Sequence, residues 1–147
     1  QIQASGKGRA LFTSKDMPGL VPDLLVAHGK ALADPAKRKV FVAMARAWYD
    51  TVAFITANPK EAAVIMAKVV GLMPEDYATY LPGTRFFGAA ENLVALGEPQ
   101  RPESLVAVGP TIAAFLKEHK LLEGEVDFAA AVDASLAREA AGPAAGQ

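Results

Sequence analysis

Two short stretches carry residue types able to hold a polar ligand. Thr13-Ser14-Lys15-Asp16 sets two hydroxyls, an ammonium and a carboxylate in a row directly after the apolar run at residues 10–13. At the carboxyl end of a strand, such a row converges with free backbone N–H groups on a small solute. The second stretch is Pro82-Gly83-Thr84-Arg85-Phe86-Phe87, where Arg85 lies beside two aromatic rings. A guanidinium in that setting suits an oxyanion. Neither stretch brings a nucleophile together with a base, so the chemistry on offer is binding and the chain is not expected to be an enzyme.

The other reactive side chains read as structural. His28 and His119 are far apart and have no second ligand at metal spacing, and no HExxH, GxSxG or GxxxxGK pattern occurs. No metal and no cofactor is expected. Lys37-Arg38-Lys39 opens a helix, where the dipole opposes cations, and therefore reads as a solvated face. Trp48 and Tyr49 lie on an apolar stripe and are expected in the core, Tyr49 with one buried hydroxyl bond. Gly6-Lys7-Gly8-Arg9 has the wrong spacing to cradle a phosphate and reads as linker.

The elements that position these residues follow from composition and punctuation. With 147 residues, 52% of them hydrophobic, and a net charge of −1, the chain has the material for one globular core. A clustered basic excess, the mark of a nucleic-acid binder, is missing. No run of about 18 uncharged apolar residues occurs, so no membrane insertion is expected. Cysteine is absent, which removes disulfides and thiolate chemistry. The opening, QIQASGKGRA, is neither a signal peptide nor a methionine start and reads as trimmed.

Residues 1–9 are expected to be a linker or disordered start, 10–138 a single domain, and 139–147 a disordered tail. Two strand-like pieces, 10–13 and 24–27, flank a turn built on Pro18, Gly19 and Pro22. Beyond them the pattern is helical. Asp34-Pro35 gives an N-cap and a first-turn proline. A stripe at Phe41, Ala45, Trp48, Val52 and Ile55 follows at steps of three or four. Asn58-Pro59-Lys60-Glu61 reads as a capping box that starts a second helix with its stripe at Ala62, Ile65, Met66 and Val69. Gly71 is its left-handed C-cap. Pro74 opens a short helical turn, another helix is expected over 86–96, and Gly109-Pro110 is expected to kink or split the helical segment from Pro102 to Leu116. A last helix is expected to carry Phe128, Ala131, Val132 and Leu136. The fold class is thus mainly α with a short β element.

The order of these elements resembles a known family. Residues 45–68, ARAWYDTVAFITANPKEAAVIMAK, are similar to the helix–Asn-Pro–helix segment of periplasmic substrate-binding proteins of ABC importers, in the nitrate, sulfonate, taurine and pyrimidine-precursor subgroup. RFFGAAENLVAL (85–96) and LLEGEVDFAAAVDASL (121–136) resemble two later segments of that family in the same order. LFTSKDMPGLVPDLLVA falls where the family's chain leaves the second lobe and returns to the sheet of the first.

The resemblance covers most of residues 10–136 and matches only the C-terminal part of a type II binding protein, whose α/β lobes close on a solute in the cleft between them. It implies an extracytoplasmic or periplasmic protein that captures a small anionic or heteroaromatic solute for an ABC permease. It places Ser14, Lys15 and Asp16 near the cleft or hinge. Lys15 departs from the small or acidic residue common there, which leaves the charge of the solute open. It also implies that upstream residues supply the partner strands. Without them, strands 10–13 and 24–28 would pair with each other, swap into a homo-oligomer or stay disordered. The alternative from another class is an autonomous helical interaction module that binds a protein partner and no solute.

Overall fold

The computed structural model describes residues 5–142; the outer parts of the expected linker and tail, 1–4 and 143–147, lie outside the described residues. Eight α-helices occur among them: α1 (Gly29–Leu32), α2 (Pro35–Ala57), α3 (Pro59–Val70), α4 (Pro74–Ala78), α5 (Ala89–Gly97), α6 (Leu105–Glu118), α7 (Phe128–Ala131) and α8 (Ser135–Ala141). Two short 3-10 turns, Ser14–Asp16 and Leu81–Gly83, complete the regular structure. The described residues contain no β-strand, which corrects the expected β element at 10–13 and 24–28 and with it the α/β-lobe fold class.

The physical reason is hydrogen bonding. Extended backbone persists as a strand only where a neighbour completes its ladder, and Pro18 and Pro22 remove two donors from this segment. Residues 13–16 satisfy their backbone locally instead. Thr13 Oγ1 accepts from the Lys15 amide at 3.3 Å, and the Thr13 amide donates to Asp16 Oδ2 at 2.7 Å. The pair forms a capping box around one 3-10 turn.

The described chain divides into two compact units, with the boundary passing through α5. The first combines the chain up to Val26 with Val94–Asp133. Here α6 packs against α7 through Gly109, where a Cβ would stand 2.3 Å from Phe128 Cγ. Pro110 sits inside α6, so of the two outcomes expected there, a kink or a split, the split does not occur. A helix can carry one internal proline at the cost of one backbone bond where its neighbours hold it. Gly19, at φ +80°, lets the 17–20 turn close on α6, since a Cβ there would lie 2.9 Å from the Glu103 carbonyl oxygen. Ser104 beside it is fully buried at the α6 N-cap.

Beyond α6, Lys120 takes the left-handed conformation at φ 58° while the Leu121 amide reaches back to the Leu116 carbonyl at 2.8 Å. This is the hydrogen bond of a helix-terminating motif that favours glycine at the left-handed position. Lys120→Gly is therefore expected to raise stability by about 0.5–1 kcal/mol, read from the midpoint of urea unfolding.

The second unit combines Ala27–Leu93 with the chain from Ala134 onward. Asp34 caps α2 as expected, accepting from the Ala36 and Lys37 amides at 2.9 and 3.3 Å. Gly71 closes α3 in the left-handed region. Asn58 does not cap α3: its side chain donates back to the Phe54 carbonyl at 3.3 Å and finishes α2 instead. The buried face of α3 is Ala62, Ala63 and Ala67, whereas Ile65 and Val69, expected inward, are exposed. The face with the smallest side chains is the one that allows backbones to approach. On α2, Val42 and Val52 are buried, and Trp48 stays 44% exposed while its indole N–H donates to the Phe87 carbonyl at 2.8 Å.

The closing helix expected around residues 128–136 is two helices. Val132 is extended between them, and α7 and α8 belong to different units. Helix α8 continues through Glu139 to Ala141, past the start of the expected tail. Its buried Ala137 and Ala140 lie on the helix that packs against α2. Arg38, expected in a solvated face, instead donates to Glu139 Oε2 at 3.0 Å and Ser135 Oγ at 2.9 Å. Arg38→Ala is expected to cost about 1 kcal/mol, because one partner remains half exposed and solvent screens the pair. Raising salt should shrink the difference between variant and parent.

Candidate functional site

The two stretches singled out by residue type belong to different units: Thr13–Asp16 to the first and Arg85 to the second. In the 13–16 turn all four side chains are exposed. Thr13 Oγ1 and the Asp16 carboxylate bond to each other, at 3.2 Å, and to the turn's own amides. That leaves the Ser14 hydroxyl and the Lys15 ammonium as the groups able to meet a ligand. The strand that was to aim them is absent, so the turn offers a cation on a capped surface corner.

Arg85 is more constrained. Its guanidinium lies 5.0 Å from the centroid of the Phe87 ring, within cation–π range. It also lies 4.0 Å from Glu91 Oε1. The other Glu91 oxygen accepts from the Gly88 amide at 3.1 Å, and Asn92 donates to the Phe87 and Gly88 carbonyls. Those bonds engage the backbone of Phe87 and Gly88, and α5 starts at Ala89, later than the expected 86. Trp48 meets Phe86 edge-on at 6.2 Å. An oxyanion approaching Arg85 must compete with Glu91, although so long and exposed an ion pair contributes no more than about 1 kcal/mol.

Both histidines have local roles. His28 Nδ1 accepts from the Lys30 amide at 3.2 Å and caps α1. The His119 ring packs on Phe115 at a centroid distance of 4.4 Å, at the end of α6. Among the described residues no group of three or more His, Asp or Glu is placed to hold a metal ion. Among the described residues, helix α2 alone is long and apolar enough to cross a membrane by length and composition, yet it carries Arg38 and Arg46 hydrogen bonds to α8.

A third place, not foreseen from residue type, is a concavity of about 290 Å³ lined by Arg46, Tyr49 and Asp50 of α2, Ala89 of α5, and Ala140 and Ala141 of α8. All six belong to the second unit. The signal was present in the spacing: residues i, i+3 and i+4 share one helix face. What could not be read locally was that α8 and α5 would bring only methyl groups to the other walls. Arg46 donates to the Glu139 and Ala140 carbonyls at 3.1 and 3.4 Å, so the guanidinium serves the C-terminal end of α8.

Burial raises the Tyr49 phenol above its ordinary value of 10.0. Since the folded value is raised, the stability tied to the neutral phenol is complete below about pH 10 and is lost as pH rises through the folded value. Ultraviolet absorbance titration should show a tyrosine component that ionises above the ordinary phenol range, and Tyr49→Phe should remove it.

No protein-family model, no curated protein and no solved structure matches this chain.

Proposed function

We propose that this chain is the C-terminal portion of an extracytoplasmic solute-binding protein that captures a small anionic or heteroaromatic solute for an ABC importer. Three family-like helical segments in the order of that family, with the 11–27 crossing ahead of them, support the reading. The observation that carries it is the surface of residues 11–26. Leu11, Phe12, Val21, Leu24, Leu25 and Val26 are 52–80% exposed, a density of exposed large apolar side chains that marks a surface made to be covered. Such a segment fits a return crossing whose covering surface is the rest of a two-lobe protein. Lys15 and Ser14, at its turn, are then the residues nearest the solute. Binding by lobe closure requires no covalent step and no cofactor.

The test has two parts. The open reading frame is read upstream of Gln1, and the polypeptide it encodes is mixed with this chain and examined by size exclusion with light scattering. The proposal expects an upstream lobe with an export signal and a one-to-one complex. A reading frame with no such lobe, or two species that elute apart, would overturn it.

A second reading, an autonomous module that docks a protein partner, is favoured by a different surface. Val40, Met44 and Trp48 on α2, and Val64, Ile65 and Val69 on α3, are all more than 40% exposed. That reading gains if the chain is monomeric and stable alone and ignores the upstream lobe.

A further inference from the structure

We propose that the concavity formed by α2, α5 and α8 binds a small zwitterion, with its ammonium group against Asp50 and its acid group against Arg46. The inference does not use residues 13–16 and stands or falls separately from the transport reading.

Three features carry it. The first is charge separation. Arg46 and Asp50 stand four residues apart on one helix, the spacing at which opposite charges ordinarily pair. Here Arg46 turns to the carbonyls of Glu139 and Ala140, and among the described residues no cation lies within ion-pair distance of Asp50. The concavity therefore presents a positive and a negative group that do not neutralise each other. The second is preorganisation. Two carbonyls of α8 fix the guanidinium through Nε and Nη2, and its remaining N–H groups stay available to a carboxylate or similar acid.

The third is space. Ala89, Ala140 and Ala141 contribute only methyls, so about 290 Å³ is open, the volume of about ten liquid waters. That is room for a short chain carrying both charges, with its carbons against the Tyr49 ring and the alanines. Tyr49 is half-buried, and its hydroxyl, kept neutral by burial, can act as a donor as well as an acceptor. A ligand of single charge meets one like charge in this space. A zwitterion meets none.

The test is a nuclear magnetic resonance titration of the full chain with L-valine and L-leucine, with isobutylamine and isobutyrate as single-charge controls. The expected result is saturable shifts of the Tyr49, Ala89 and Ala140 amides with an amino acid, at an affinity at least tenfold above either control. Asp50→Asn should weaken amino-acid binding about tenfold or more, whereas Lys68→Ala, an exposed cation on α3, should leave it unchanged. Circular dichroism matched to the parent keeps the comparison meaningful for Asp50→Asn, and Tyr49→Phe supplies a second variant, expected to weaken binding severalfold. No saturable shift up to about 10 mM, equal binding of valine and isobutylamine, or full affinity in Asp50→Asn would each overturn the proposal.

Discussion

Gly109→Ala is expected to lower stability by about 1–2 kcal/mol, although alanine is the better helix former by about 1 kcal/mol. The two effects oppose each other at one position. Gly109 lies inside α6, where alanine would restrict the unfolded chain and favour the helix. The added methyl, however, would stand 2.3–2.6 Å from Cγ, Cδ1 and Cδ2 of Phe128. These atoms include the root of the ring, so no flexible tip can swing aside and the whole side chain must move. Phe128 begins α7, a helix of four residues, too short to hold itself without its packing on α6. The prediction sharpens in a double-mutant cycle. With Phe128→Ala in place the clash is gone, and Gly109→Ala should then stabilise by up to about 1 kcal/mol. Urea unfolding of the four proteins measures the change of sign. The same sign in both backgrounds would mean that α6 and α7 do not meet through Gly109.

Ala67→Leu is expected to cost about 2 kcal/mol, within the range typical of overpacked cores. Ala67 has no exposed surface, and Ala62 and Ala63 on the same helix are almost as closed. That face belongs to a helix packed on α2 and α4, and the closeness of the packing depends on the methyl side chains. A leucine three carbons larger must either leave its rotamer minimum or push a neighbouring helix away. Val69, on the same helix but 82% exposed, is the control: Val69→Ala should change stability by less than about 0.5 kcal/mol. If the two substitutions had equal effects, the alanine face of α3 would not be the packed one.

These two positions also mark what was legible in the sequence. Helix existence was readable because it rests on local chemistry. Asp34-Pro35 caps α2, Gly71 ends α3, and Pro74 opens α4, each for reasons contained within a few residues. Facing was less readable. A hydrophobic stripe marks Ile65 and Val69 as inward, yet the helix buries Ala62, Ala63 and Ala67, because close approach rewards the smallest side chains rather than the most apolar ones. Asn58 shows the same limit at a boundary, since one amide can serve the end of α2 or the start of α3 and periodicity cannot choose.

Long-range events were not readable at all. Arg38 reads as a solvated cation until α8, about a hundred residues later, supplies Ser135 and Glu139, and the partners of Arg46 are carbonyls of the same distant helix. The concavity at Arg46, Tyr49 and Asp50 depends on that contact and was missed for the same reason. The opening segment failed in the opposite direction. Its two short apolar runs, 10–13 and 24–27, read as strand, but a strand is a property of a pair, and among the described residues none pairs with it. Thr13 and Asp16 therefore close on each other, and the two hydroxyls, the ammonium and the carboxylate that suggested a ligand site sit on a capped corner with only Ser14 and Lys15 free.

The most direct test of the functional account is amide hydrogen exchange over residues 10–28, measured on this chain alone and again after mixing with the polypeptide encoded upstream. The account predicts fast exchange over 10–12 and 21–28 in the chain alone, outside the locally bonded 13–20 turn, where the side chains at Leu11, Phe12 and Leu24–Val26 are exposed. It predicts strong protection of the same amides in the mixture, with α2 and α3 little changed. Exchange that stays fast in the mixture, or protection already complete in the chain alone, would contradict the reading of this chain as one part of a two-lobe solute-binding protein.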